Sequence, residues 1–144
     1  MLRGNSEARI DDKGRLKVPA PFKRVFDEEF AQSKFYVTSM DGKAARVYPL
    51  EEWIKVEEKF NSSFDPLMSD IIFKVNYWGG EADMDTQGRL LIPQVLRDNA
   101  GIKGDVAVMG MRTYLEVCTS ERAKQRAERE LTPAELEKLG QKGI

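Results

Sequence analysis

Residues 10–23 read IDDKGRLKVPAPFK, and residues 84–97 read MDTQGRLLIPQVLR. The two stretches align at an offset of 74 residues. Asp11/Asp85, Gly14/Gly88, Arg15/Arg89, Leu16/Leu90 and Pro19/Pro93 are identical pairs, and Ile10/Met84, Val18/Ile92 and Lys23/Arg97 are similar. Just upstream, Glu7-Ala8 matches Glu81-Ala82. Identities that include a glycine and a proline at fixed spacing repeat a backbone geometry, so the chain reads as two copies of one small unit.

Each copy begins with a hairpin. Ala8 to Ile10 starts a strand, and Asp11-Asp12-Lys13-Gly14 is a turn in which Asp accepts local amides and Gly supplies positive φ. Arg15-Leu16-Lys17-Val18 alternates polar and apolar, the period of a half-buried strand. Pro19 ends it, and Pro21 suits the first turn of a helix over 21–29. Strands 35–40 and 43–48 follow, joined at Asp41-Gly42, which signals a tight type I′ turn. Pro49 opens a helix with Trp53, Val56 and Phe60 on one face. Asn61-Ser62-Ser63 breaks that helix. Asp65-Pro66 then starts another, running to Tyr77 with Met68, Ile71, Ile72 and Val75 as its stripe.

Gly79-Gly80 marks the join between the copies. The second repeats the plan: strands near 81–84 and 89–92, a helix from Pro93 to the C′ glycine Gly101, and a hairpin of 105–109 and 113–118. A charged helix covers 120–130. Thr132-Pro133-Ala134-Glu135 is a capping box for a last helix, with Leu136 and Leu139 expected to face inward. The expected organisation is a first repeat with linker helices over 1–78, a second repeat over 79–123 and a charged helical tail over 124–144. Four short strands per copy make a marginal fold alone. The fold class that follows is α+β: two tandem hairpin–helix units sharing one compact, barrel-like core of interleaved strands, with flanking helices.

Composition removes most chemistry. The chain of 144 residues holds no histidine and one cysteine, Cys118, so Ser-His-Asp triads, Cys-His dyads, His metal sites and intrachain disulfides are all excluded. No Gly-rich phosphate loop or metal-ligand cluster appears, and no catalytic residue, metal or cofactor is expected. The longest apolar run is Val106 to Met109, far short of the ~20 residues of a membrane span. The N-terminal stretch has no apolar segment of the secretory kind. The net charge of −1 hides a gradient: residues 1–25 carry seven Lys/Arg against three Asp/Glu, whereas residues 26–73 carry five against ten. A polyanion responds to that local field more than to the mean.

A turn of the form Asp-x-x-x-Arg, followed by an apolar strand and Pro and occurring twice, resembles the MraZ family over residues 1–123. The opening Met1-Leu2-Arg3-Gly4 is similar to the family start, with Leu2 where an aromatic is usual. The resemblance implies an AbrB-like (SpoVT-AbrB) fold used twice per chain and no enzymatic activity. It implies a ring-shaped homo-oligomer of eight or more subunits, cytoplasmic and nucleoid-associated. The implied function is sequence-specific binding of double-stranded promoter DNA, repressing the division and cell-wall gene cluster through repeated boxes. Residues after about 124 match no strong family motif.

The residues themselves leave two readings of each Asp–Arg turn. The turn is a structural brace, in which an exposed ion pair contributes about 0–1 kcal/mol; or Asp orients an Arg that meets DNA. The two are compatible. The first hairpin offers Arg9, Lys13, Arg15 and Lys17, where the second has Asp83, Gln87, Arg89 and Leu91. DNA contact is therefore expected at Arg15, Lys13 and Lys17, with Arg3 and Arg9. Asp11, Gly14, Asp85, Gly88 and Arg89 are expected to shape the turns, and Arg89 is open to either role. Leu91, outward on its strand, is expected under a neighbouring subunit. Lys23, Arg24 and Arg97 read as solvated surface. Two rival classes remain: an AbrB-folded protein-interaction or antitoxin-type module with little DNA affinity, and a small enzyme with convergent carboxylates.

Overall fold

The computed structural model describes residues 1–30, 33–62 and 64–144. Eight strands and six helices alternate along it. The first copy comprises β1 (Asn5–Ile10), β2 (Arg15–Lys17), α1 (Ala20–Glu29), β3 (Lys34–Thr38), β4 (Ala45–Pro49), α2 (Leu50–Asn61) and α3 (Leu67–Tyr77). The second comprises β5 (Gly80–Asp83), β6 (Arg89–Leu91), α4 (Gln94–Ala100), β7 (Gly104–Gly110), β8 (Leu115–Cys118), α5 (Ser120–Glu128) and α6 (Pro133–Gln141).

The strands form one antiparallel sheet in the order β5-β3-β4-β8-β7-β1-β2-β6. Neither copy pairs mainly with itself. β1 runs along β7 over six residue pairs, and β5 runs along β3 over four. Each copy's first strand thus completes the other copy's third, which solves the burial problem that a lone four-stranded unit faces. The sheet is nearly closed: β5 and β6, at its two ends, meet where the Asp85 amide donates to the Arg89 carbonyl at 3.0 Å. The interleaved, barrel-like core expected from the repeat is present.

A pseudo-two-fold axis passes between β2 and β6. Leu16 stands opposite Leu90, and neither has accessible surface. The Val18 amide donates to the Gly88 carbonyl at 2.9 Å, and the Ile92 amide donates to the Gly14 carbonyl at 3.0 Å. Inside lie Ile10, Val18, Phe22, Phe26, Phe35, Val37, Ile92, Leu96, Val108 and Val117, drawn from both copies. Truncating a fully buried leucine such as Leu16 or Leu90 to alanine costs about 2–5 kcal/mol in such a setting.

Pro19, Pro49 and Pro93 each precede a helix, with φ between −58° and −53° and extended ψ. Their fixed φ and missing N–H stop a strand and launch a helix in one step. A second cluster lies under α2 and α3, where Tyr48, Trp53 and Val75 are buried among half-buried Tyr36, Val56, Phe60 and Ile71. Thr38 Oγ1 donates to the Val75 carbonyl at 2.6 Å and pins α3 to β3.

Three local expectations differ. Asp41-Gly42 is not a two-residue turn: Thr38 pairs with Arg46, so the connection is a longer loop. Side chains organise it instead. Asp41 Oδ1 accepts from the Lys43 amide at 2.8 Å, Ser39 Oγ accepts from the Gly42 amide at 2.8 Å, and Ser39 Oγ donates to the Ala44 carbonyl at 2.6 Å. Ile72 faces solvent rather than the stripe it was expected to join. Leu136 also faces solvent: α6 forms its capping box but has little of the body to pack on. The helix break expected at 61–63 begins at Ser62, which caps α2; Ser63 lies outside the described residues.

Candidate nucleic-acid interface

The 11–14 and 85–88 turns repeat one hydrogen-bond set. Asp11 Oδ1 accepts from the Lys13 amide at 3.0 Å and the Arg15 amide at 2.8 Å, while Asp11 Oδ2 accepts from Arg15 Nε at 2.9 Å. Asp85 Oδ1 accepts from the Gln87 and Arg89 amides, both at 2.9 Å, and Asp85 Oδ2 accepts from Arg89 Nε at 2.8 Å. Gly14 and Gly88 close the turns at φ +83° and +76°, a region that costs residues with a Cβ. The Arg15 amide foremost, with the Arg15 guanidinium and the Lys13 amide, holds the Asp11 carboxyl below the ordinary carboxylate range. Asp85 is lowered by its counterparts, the Arg89 amide first.

The consequence for arginine is specific. Each carboxylate engages Nε and leaves the two terminal nitrogens without a hydrogen bond among the described residues. The Arg15 and Arg89 side chains are 31% and 27% exposed. An arginine held at Nε presents a rigid two-pronged donor, the geometry that matches a phosphate or a guanine edge.

Both arginines lie on one face. In the β2–β6 ladder Arg15 pairs with Leu91 and Lys17 with Arg89. Paired residues project to the same side of a sheet, so Arg15, Lys17, Arg89 and Leu91 share the outer surface. Arg15 and Arg89 are diagonal neighbours, about 7–8 Å apart at Cα for such positions. Lys13 is exposed at the tip of the first turn. Lys17 Nζ donates across the axis to the Gln87 carbonyl.

Two cations read as surface from the sequence also belong here. Arg97 reaches from α4 to the other copy's turn: its guanidinium lies over Gly14, and its Nε donates to the Ile92 carbonyl at 2.9 Å. Lys23 reaches from α1 to Gly88 and pairs with Asp27 at 2.7 Å. The signal was present, since Lys23 and Arg97 are equivalent in the repeat. Their crossing to the opposite turn depends on the interleaving. Arg24 is exposed on α1.

The other candidate cations lie apart. Arg9 is on β1, paired with Asp105 at 3.0 Å in an exposed ion pair. Arg3 precedes β1, next to Leu2, which bridges to Arg112; the full length of that strand separates it from the turn. Leu91, 51% exposed, is the cross-strand neighbour of Arg15. Cys118 is buried, and burial pushes its thiol pKa up. Among the described residues no group of three or more His, Cys, Asp or Glu could hold a metal ion, and no helix is long and apolar enough to cross a membrane.

The family model described as "MraZ protein, putative antitoxin-like" matches residues 1–70 and 80–132, taking in both turns. The chain belongs to the MraZ family. It is 50% identical over 130 residues to the protein named transcriptional regulator MraZ of Acidobacterium capsulatum, covering 89% of this chain and 88% of that one. It is 49% identical over 140 residues to the transcriptional regulator MraZ of Koribacter versatilis, covering 96% and 95%. A more distant relative of the same name, from Syntrophobacter fumaroxidans, is 35% identical over 119 residues, covering 81% and 77%. The MraZ relationship therefore spans nearly the whole chain and takes in all of α5, whose residues past 123 the sequence motifs left unmatched.

Proposed function

We propose that this chain regulates transcription by binding duplex DNA through the outer face of the β2–β6 ladder. The observation that carries the reading is the twin Asp–Arg brace, which holds Nε and leaves two donors free on each arginine. A pair of strands fits the major groove, roughly 12 Å wide, and a guanidinium there can bond guanine O6 and N7 together. Arg15 reads the base. Lys13 and Lys17 contact phosphates beside it, Arg9 contributes from the next strand, and Arg3, at the far end of β1, contributes least. Arg97 and Lys23 add positive potential over the two turns. Leu91, beside Arg15, meets the DNA surface rather than a neighbouring subunit, since one patch cannot serve both.

The relatives' name supports the regulatory role. Their family resemblance also implies repression, acting on repeated boxes ahead of the division and cell-wall cluster, from a ring of subunits associated with the nucleoid. The charge distribution supports the ring: one protomer carries few free cations and a net charge of −1, so strong binding needs several copies acting at once.

An electrophoretic shift assay with the chain's own upstream region, at two salt concentrations, tests this. Binding should weaken by about 0.9 log units per log unit of salt for each phosphate contacted. An unshifted fragment at low salt would refute it. The antitoxin-like wording of the family description and the exposed aromatic face of α3 favour a second reading, a protein-interaction module, which predicts that negative result.

A further inference from the structure

Two surface features have no part in the DNA-facing site, and each supplies what the other lacks. The first is an exposed aromatic face of α3, with a shallow groove lined by Asp70, Phe73, Lys74, Tyr77 and Trp78. The helical period sets Leu67, Asp70, Phe73, Lys74 and Tyr77 along one outward face of α3, away from the buried Val75. Leu67, Phe73 and Tyr77 are 53%, 71% and 55% exposed. Phe73 stacks on Tyr77 at 6.4 Å, and Tyr77 meets Trp78 edge-on at 4.7 Å. Aromatic side chains of this size expose on the order of 300 Å² of apolar surface at such fractions. Fully exposed Phe64, just before the helix, adds roughly 200 Å². A protein partner typically covers about 800 Å² on each side. Asp70 makes no hydrogen bond or ion pair among the described residues.

The second is concave. A cavity of about 670 Å³ lies between α5 and the sheet, floored by Met40, Met109 and Met111 and edged by Ala123 and Arg122. Its other arginines are committed: Arg126 pairs with the nearly buried Glu116 at 2.5 Å, and Arg46 bonds Tyr48 Oη at 3.2 Å and lies over the Tyr114 ring. The Arg122 side chain has neither a hydrogen bond nor an ion pair among the described residues; Asp41, on the same cavity wall, is its electrostatic counterpart. Against burial, and after the Lys43 and Ala44 amides and the Ser39 hydroxyl, the Arg122 charge helps hold the Asp41 carboxyl lower. Methionine thioethers adapt to aromatic rings and attract them.

We propose that the α3 ridge of one copy docks in the methionine cavity of a second copy, with Phe73 and Tyr77 inserted and Asp70 beside Arg122. Ridge and cavity share no residue. The contact is therefore heterologous, each copy using both faces, and such contacts close into rings when the rotation allows. The inference rests on the oligomeric reading above and assigns the contact that builds it.

Sizing chromatography with light scattering tests it on the full chain. Phe73→Asp/Tyr77→Asp removes the ridge, and Ala123→Trp fills the cavity from an outer helix. Each variant alone should be monomeric with an unchanged far-ultraviolet spectrum. Mixed at about equal concentration, they should give a one-to-one dimer and nothing larger, because one intact ridge then meets one intact cavity. Variants that keep the wild-type size, or a mixture that stays monomeric, overturn the docking while leaving the ring itself standing. A monomeric wild-type chain overturns both. If a variant misfolds, the charge exchange decides: Asp70→Arg and Arg122→Asp should each reduce assembly and together restore it, and no recovery overturns the proposal.

Discussion

Between the turns at 11–14 and 85–88 the backbone hardly differs. The three distances to the aspartate are 3.0, 2.8 and 2.9 Å in the first and 2.9, 2.9 and 2.8 Å in the second. The surroundings do differ. Lys13 and Lys17 flank Arg15, whereas Gln87 and Leu91 stand at the equivalent places around Arg89. On the neighbouring strand Arg9 pairs with Asp105, whereas Asp83, at the matching position, pairs with Lys34. The repeat duplicated a geometry, and substitution around it gave one copy more positive charge. Shape and charge can therefore be varied separately in this molecule, and experiments can exploit that.

The largest effect is expected from Arg15→Ala. A bidentate base contact is worth about 1–3 kcal/mol, and an assembly loses several at once, so specific affinity should fall on the order of 100-fold or more. Thermal stability should change little, because a partly exposed ion pair contributes about 0–1 kcal/mol. Shift titrations paired with a thermal melt would check both. Making the first turn resemble the second, with Lys13→Gln and Lys17→Leu, should act through charge alone. Two lost phosphate contacts reduce the salt slope by about 1.8, so between 50 and 200 mM salt the variant's affinity should fall roughly tenfold less than that of the wild-type chain, from a weaker start at low salt. Arg89→Ala comes third. It should lower stability as much as Arg15→Ala does, since the braces match, but reduce affinity only about threefold, because its neighbours carry less charge. Equal affinity losses at the two arginines would show that the charge asymmetry has no role in binding.

Much of this frame was legible in the primary structure. Glycine and proline at fixed spacing encode turns and strand ends directly, and an aspartate four residues before an arginine encodes the brace. What escaped reading depends on contacts made across the repeat. Lys23 and Arg97 looked like surface charges because their partners, Gly88 and Gly14, belong to the opposite copy. Leu91 reads as an interface residue from its own strand; that Arg15, 76 positions away, stands beside it is visible only in the β2–β6 ladder. Asp41-Gly42 misled for a local reason: the Ser39 and Asp41 side chains take over amides that a tight turn would have paired. Leu136 misled because an amphipathic stripe predicts burial without saying against what.

The smallest effect is the sharpest test of the likeness between the turns. Asp11 and Asp85 both have carboxyl pKa values held below the ordinary range, each chiefly by the amide of its own arginine. In the unfolded chain an aspartate titrates near about 3.9. Between that value and the lower folded one the unfolded state binds more protons, so stability rises with pH there. The contribution is complete above about pH 5 and is lost as pH falls through the folded values. Glu135, lowered to about 2 by Arg129, titrates in the same acid window, but it sits in the peripheral α6 cap. Urea midpoints measured at pH 5, 4 and 3 should decline for the wild-type chain and decline less for Asp11→Asn. Asp85→Asn should flatten the profile by the same amount, because the donors and distances are the same. A profile governed by one aspartate alone would mean that the two turns are not equally braced in solution. The charge around Arg15 would then no longer be the main difference between them.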